Sequence, residues 1–193
     1  EQPKLDEVIM KVNQADNLHA PLVIGGVVEL DPVVRPVDVG LLQQAANVFV
    51  QPYSSPSWSG IAFRCSNEFL QFTKVRQALT YAFDRQEALD SHYNGQGQLI
   101  SGPFPVNSEY YDYQVLPYEH NLEKARQLLS EAGFVDTDGD NILELNGKPF
   151  ELNMVLSQAT PTDDKTACVN FAQQIAKIGV KVNPSYLQHN VYK

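Results

Sequence analysis

The chain has 193 residues, 43% hydrophobic and 19% charged, enough for one domain with a core or two small lobes and too ordinary for a disordered chain. The formal net charge is −9 and no run of Lys and Arg appears, which argues against nucleic acid as a partner. No apolar stretch approaches the roughly 20 residues that span a bilayer.

The opening "EQPKLDEVIMKV" has no methionine and reads as the interior of a longer chain, so the lack of a signal peptide carries no information. Val8, Met10 and Val12 alternate with Glu7, Ile9 and Lys11 and predict a strand. "ADNLHAPLVIGG" predicts a short helix stopped by Gly25 and Gly26, and "VVELDPVV" a second strand. "PVDVGLLQQAAN" predicts another short helix with Pro36 near its start. "VFVQPY" and "SWSGIAFRC" read as strands around the turn "SSPS".

After Phe72 the pattern becomes helical. Val75, Ala78, Leu79, Ala82 and Phe83 form a stripe at i, i+3, i+4, i+7 and i+8, with Thr73 as the expected N-cap. Asp84 and Glu87 then start a second helix as a variant capping box. "NGQGQLISGPFPVN" holds three glycines and two prolines, predicting a long loop of the kind that is often functional. A helix is expected from Leu122 to Ala132 with Gly133 as its stop. Asn146-Gly147 sits between "ILEL" and "PFELNMVL" and predicts a hairpin, because both residues tolerate positive φ. Phe150, Leu152, Met154 and Leu156 share one face of its second strand. A helix from Thr162 to Ile178, with Cys168, Phe171, Ala172, Ile175 and Ile178 inward, and a last strand "VKVNPSYL" complete the chain. Helices and strands alternate without a linker, so a single α/β lobe over residues 1–193 is the expectation.

Chemistry-bearing patterns are sparse. The run "VDTDGDNILELNGK" places Asp136, Asp138 and Asp140 at alternate positions, as an EF-hand loop does. Its sixth position is Asn141 rather than glycine, and its twelfth is Gly147 rather than a bidentate glutamate. A tight turn with aspartates bonding nearby amides is the expected role, with adventitious calcium the alternative. His19, His92, His120 and His189 form no His-x-x-x-His pair, so no metal centre is expected. Gly-x-Ser-x-Gly is absent, and "GQGQLISG" lacks the Lys-Ser/Thr ending of a phosphate loop. Asp163 and Asp164 sit at a helix start, where the dipole explains them. No catalytic residue and no cofactor are predicted. Cys65 and Cys168 are compatible with one disulfide in an oxidising compartment; two buried thiols are the expectation.

The stretches "VRQALTYAFDRQEAL", "NLEKARQLLSEAGFVDTDGDNILELNGKPFELNMVL" and "ACVNFAQQIAKIGVKV" follow one another in an order that resembles the extracytoplasmic solute-binding proteins of family 5, the peptide- and nickel-type receptors of ABC importers. "KVRQALTYAFDRQ" is similar to the most recognisable stretch of that family, and "LEKARQLLSEAGF" followed by "DTDGD" to its second hallmark. "PKLDEVIMKV" and "FVQPYSSPSWSGIAF" are similar to the segment before them. Two departures stand out. Arg64 and Cys65 follow Phe63 where the family commonly has Phe-Asn, and Val27 and Val28 hold the place of an acidic pair, with Glu29 and Asp31 displaced.

The resemblance implies a periplasmic-binding-protein-like (type II) α/β lobe, a mixed sheet flanked by helices. Because members are more than twice this length, it implies most of the carboxy-terminal ligand-binding lobe. The amino-terminal lobe would precede Glu1, and a Trp-x-x-Asp-like element that takes the amino terminus of a peptide would follow Lys193. Alone, such a chain is expected to bind ligand negligibly. The implied partners are a peptide or other small solute, ABC permease subunits and the amino-terminal lobe. The implied location is periplasmic or extracellular, with lipoprotein anchoring as one arrangement. The alternative is a sensory or regulatory protein reusing the same lobe. In the resembling family the strand edge near Trp58 faces the cleft, which makes Tyr53, Trp58 and Ile61 the first ligand contacts or main-chain pairing positions. Asp164 is a further candidate. For Trp58 a plain core-filling role stays open, and the tyrosines of "SEYYDYQ" either order against the partner lobe or face solvent.

Overall fold

The computed structural model describes residues 4–13, 15–53, 57–188 and 191. The chain divides into two compact units, Glu1–Tyr53 and Ser54–Lys193.

In the first unit, a 3-10 turn at Asp16–Leu18 runs into helix α1 (His19–Ile24), and a second at Pro36–Asp38 runs into α2 (Val39–Gln44). Both helices fall where the sequence places them. Gly26 takes φ +67° after α1, a conformation in which a Cβ would be strained, so the helix stops there. Pro36 opens the second turn, where its missing N–H costs nothing. Arg35 holds that turn by donating through Nε and Nη2 to the two carboxylate oxygens of Asp38 at 2.7 and 2.9 Å. Ala20 and Leu42 are buried.

The strands expected at Val8–Val12, in "VVELDPVV" and in "VFVQPY" do not form among the described residues. Val8, Met10 and Val12 are 72, 89 and 92% exposed. Alternation marks a strand only where a neighbour supplies the hydrogen-bond ladder and a core supplies the buried face. The segments here have neither.

The second unit carries the core. Its helices are α3 (Thr73–Ala82), α4 (Arg85–His92), α5 (Leu122–Glu131) and α6 (Thr162–Ala176). Its strands are β1 (Glu144–Leu145), β2 (Lys148–Pro149), β3 (Glu151–Ser157) and β4 (Lys181–Leu187). β1 and β2 form a hairpin at the expected turn, with Asn146 and Gly147 at φ +55° and +75°, but its second arm is only Lys148–Pro149, and most of "PFELNMVL" pairs elsewhere. β3 and β4 pair in parallel from Glu151 opposite Lys181 to Ser157 opposite Leu187, and α6 is the crossover such a pair requires. "SWSGIAFRC" is irregular rather than a strand, again for want of a ladder partner. The turn "SSPS" falls largely outside the described residues.

The buried stripe of α3 is Val75, Ala78, Leu79 and Ala82, as its spacing predicts, and α5 buries Ala125, Leu128 and Leu129 against the same core. Thr73 is not the N-cap of α3. Phe72 holds that position without a side-chain bond, because the Thr73 hydroxyl accepts instead from Arg76 Nη2 at 3.1 Å. Asn121 caps α5 by accepting from Lys124 N, and Asp84 caps α4 by accepting from Glu87 N at 2.9 Å.

Gln174, buried within α6, bonds at both ends. Its Oε1 accepts from Asp84 N at 2.6 Å, and its Nε2 donates to Glu87 Oε2 at 2.5 Å. A buried amide with both ends satisfied locks α4 onto α6.

Between α4 and α5 lies the long glycine- and proline-rich loop. The Arg85 guanidinium closes it, donating from Nη1 to Ile100 O at 3.1 Å and from Nη2 to Tyr118 O at 2.9 Å. Burial lowers the pKa of Arg85, but a guanidinium stays charged at neutral pH. Inside the loop, Tyr113 Oη donates to Val106 O at 2.7 Å, and the Tyr111 and Tyr113 rings meet edge to face at 4.8 Å. Replacing Arg85 with Ala is therefore expected to free residues 100–118 as a local unit. Chymotryptic cleavage after exposed Tyr110 and Tyr113 should accelerate by roughly tenfold, with a loss of about 1–3 kcal/mol for two charge-assisted bonds. Limited proteolysis read by mass spectrometry checks this, and R85K, a single compact ammonium, should restore little.

Candidate functional site

The sequence-predicted contact residues fall in both units. Tyr53 belongs to the first, where its hydroxyl donates to Pro32 O at 3.1 Å. Trp58 and Ile61 belong to the second. Ile61 is partly buried and packs against the core, so its side chain is committed to the protein and only its main chain is free for a ligand.

Trp58 is 51% exposed, which answers the question left open by the sequence: the indole is not a core filler. No protein group accepts a hydrogen bond from it among the described residues. The backbone from Trp58 to Ala62 likewise makes no protein hydrogen bond among the described residues. Apart from Ile61 these residues are exposed. A stretch of main chain with free N–H and C=O groups beside a half-exposed indole is chemically suited to pairing with another extended backbone while the aromatic face covers an apolar group.

Asp164, in the first turn of α6, accepts a short hydrogen bond from Tyr93 Oη. Burial, that bond and the carboxylate charge together raise the pKa of the Tyr93 phenol. Cys168, one turn further on, has its thiol pushed up by burial first and by Asp164 second. A thiol held in its neutral form is a poor nucleophile. Both cysteines are free, and Cys65 is exposed rather than buried as expected. Its position after Phe63 in the irregular segment leaves it outside the core. Nearby, His92 Nε2 lies 3.1 Å from Asn170 Nδ2. Together these contacts fasten the end of α4 and the residue after it to α6.

The acidic turn brings Asp136, Asp138, Asp140 and Glu144 together, with one oxygen of each within 4.8 Å of the others. Each carboxylate already serves the turn. Asp136 accepts from Gly139 N at 2.7 Å and Asn141 N at 3.1 Å, Asp138 from Asp140 N, and Asp140 from Ile142 N. Glu144 accepts from Thr137 N and Oγ1 at 2.7 and 2.8 Å. Gly139 and Asn141 sit at φ +83° and +69°, and the whole is a self-satisfied connection into the hairpin. Counting from Asp136, the sequence places Glu144 at the ninth position of such a loop; its burial against Thr137 is what the structure adds.

The comparisons with known proteins agree with one another. The family described as bacterial extracellular solute-binding proteins, family 5 Middle, matches residues 1–193. The oligopeptide-binding protein AppA of Bacillus subtilis is 31% identical over 189 residues, which is 97% of this chain and 34% of that protein. Its structure in complex with a nonapeptide superimposes with a TM-score of 0.77, at 28% identity, over 92% of this chain and 35% of that one. Heme-binding protein A of Haemophilus influenzae is 35% identical over 124 residues, 64% of this chain and 21% of that protein. Di/tripeptide-binding protein 3 of Pseudomonas aeruginosa is 30% identical over 136 residues, 70% of this chain and 26% of that protein. The chain thus spans about a third or less of the length of these curated relatives.

Proposed function

This chain belongs to family 5 of the bacterial extracellular solute-binding proteins, and from that premise we propose that it forms most of one ligand-binding lobe of an importer receptor for peptides. The fold is α/β, of the type II periplasmic-binding-protein kind, and the family consists of binding proteins rather than enzymes. The lobe grips its cargo without altering it, and closure on the ligand is a hinge motion against an opposing lobe supplied by the rest of the receptor. Binding free energy stabilises the closed state. A permease subunit receives the cargo, and the receptor works outside the cytoplasm, held near the membrane by a lipid anchor or free. The β3–β4 pair, two strands among the described residues, is extended in the intact receptor by strands from outside this chain. Isolated pairs of strands are marginal in water.

One observation supports a peptide rather than another solute. The unbonded main chain of Trp58–Ala62 beside an exposed indole offers what an extended peptide needs, backbone pairing for affinity and an aromatic surface for a side chain. The AppA structure, in complex with a nonapeptide, favours a chain of several residues over a dipeptide. Calorimetric titration of the intact receptor with a nonapeptide tests this reading. A Kd of about 1–10 μM or tighter is expected, and Trp58→Ala should weaken it by about tenfold or more, the loss of one aromatic anchor. Unchanged affinity in that variant, at an unchanged Tm, would remove Trp58 from the site.

A further inference from the structure

We propose that Gly60 is the positioning residue for the Trp58 indole, and that the empty place of its side chain is the seat on which the ring rests; the inference takes from the reading above that Trp58 meets the ligand. A Cβ at residue 60 would lie 2.9 Å from Cζ3 and 3.3 Å from Cε3 of Trp58. Real Cβ atoms essentially never come closer than 3.0 Å, so the ring occupies space that every residue but glycine would fill. The backbone of Gly60 needs no positive φ. The glycine is therefore not there for its own conformation but for what lies across it.

Residues two apart in an irregular, unpaired segment have no ladder to fix their side chains. The indole is on the same segment as its seat and is half exposed, so packing from elsewhere in the protein constrains it only partly. Resting the benzo edge on Gly60 supplies the missing constraint. Cζ3 and Cε3 belong to the edge of the ring opposite Nε1, so seating that edge leaves the N–H on the far side, where no protein group accepts it among the described residues. The seated ring then presents one apolar face and one donor, and the matching ligand feature is a peptide carbonyl next to an apolar side chain. An aromatic held in one orientation binds more tightly than a free one, because less rotamer freedom is lost on binding.

The test uses the intact receptor labelled with 5-fluorotryptophan, in which the Trp58 resonance is the one that Trp58→Phe removes. In the ligand-free protein, Gly60→Ala is expected to move or broaden that resonance while Tm stays within about 2 °C, as surface changes do. Nonapeptide affinity should fall by about 3- to 10-fold, and Gly60→Ala should cause no further loss in the Trp58→Phe background. A resonance that stays in place overturns the inference, whatever affinity does. Equal affinity losses from Gly60→Ala in both backgrounds also overturn it, since Gly60 then acts without the ring. A moved resonance with affinity unchanged in both single variants keeps the seat and removes Trp58 as a ligand contact.

Discussion

Phe150→Ala is expected to destabilise the second unit by about 3–5 kcal/mol, the range for emptying a fully buried aromatic position. Phe150 is 0% exposed and its ring centroid lies 4.9 Å from that of Phe69 and 4.7 Å from that of Phe134. Phe69 and Phe134 meet at 5.8 Å near edge-on. The three rings join the turn before α3, the end of α5 and the start of β3, so none can collapse into the gap without moving an element. The backbone at this point is equally engaged: Phe150 N donates to Leu143 O at 2.7 Å, and Phe150 O accepts from Lys181 N at 3.0 Å. With whole-domain stabilities of about 5–15 kcal/mol, the variant should unfold at a visibly lower urea midpoint with an unchanged slope. A loss under about 1 kcal/mol would mean that the ring cluster is not the centre of the core.

Gly179→Ala should cost about 2–5 kcal/mol, from two sources that add. Gly179 sits at φ +79°, where an L side chain costs roughly 1–2 kcal/mol. A Cβ there would also lie 2.6 Å from Leu143 Cγ, and overpacking typically costs about 1–3 kcal/mol. Leu143 cannot retreat easily, because its N–H donates to Gly179 O at 2.8 Å. Gly139 is the internal control: its φ is +83°, yet nothing lies within 4 Å of its Cβ position. Gly139→Ala should thus lose only the conformational part, about 1–2 kcal/mol. Urea titrations of the two variants side by side separate the steric share from the backbone share, and equal losses would show that Leu143 adjusts freely.

Phe150 and Gly179 lie in the part of the chain whose elements follow local rules. The stripes of α3 and α5 and the Asn146-Gly147 turn were legible because each rests on a local rule whose partner is a few residues away. The first 64 residues were read less well. Val8, Met10 and Val12 alternate as a strand does, but alternation cannot reveal whether a second strand lies alongside, and none does among the described residues. Thr73 misled for a related reason: its hydroxyl had two possible donors, and Arg76 one turn on took it.

The candidate site rests on resemblance rather than on local rules. Resemblance pointed to Tyr53, Trp58 and Ile61, yet nothing in the sequence said that Ile61 would pack inward or that the Tyr53 hydroxyl would bond Pro32 O. The Trp-x-Gly spacing was visible, and its meaning was not, since whether residues two apart touch depends on the backbone conformation between them. Gln174 gave no signal at all. A glutamine within an amphipathic helix reads as a surface residue until Asp84 and Glu87 are seen to close on it from α4.

The Arg85 staple has an engineering corollary. Residues 100 and 118 are held at one guanidinium, so the protein senses where the intervening segment begins and ends far more than what it contains. Lengthening a loop whose mouth is already fixed is thermodynamically mild, about 0.6 kcal/mol for each doubling. A foreign epitope or a fluorophore-bearing tag spliced into this segment should leave the underlying scaffold intact, which makes it a natural port for turning the protein into a sensor.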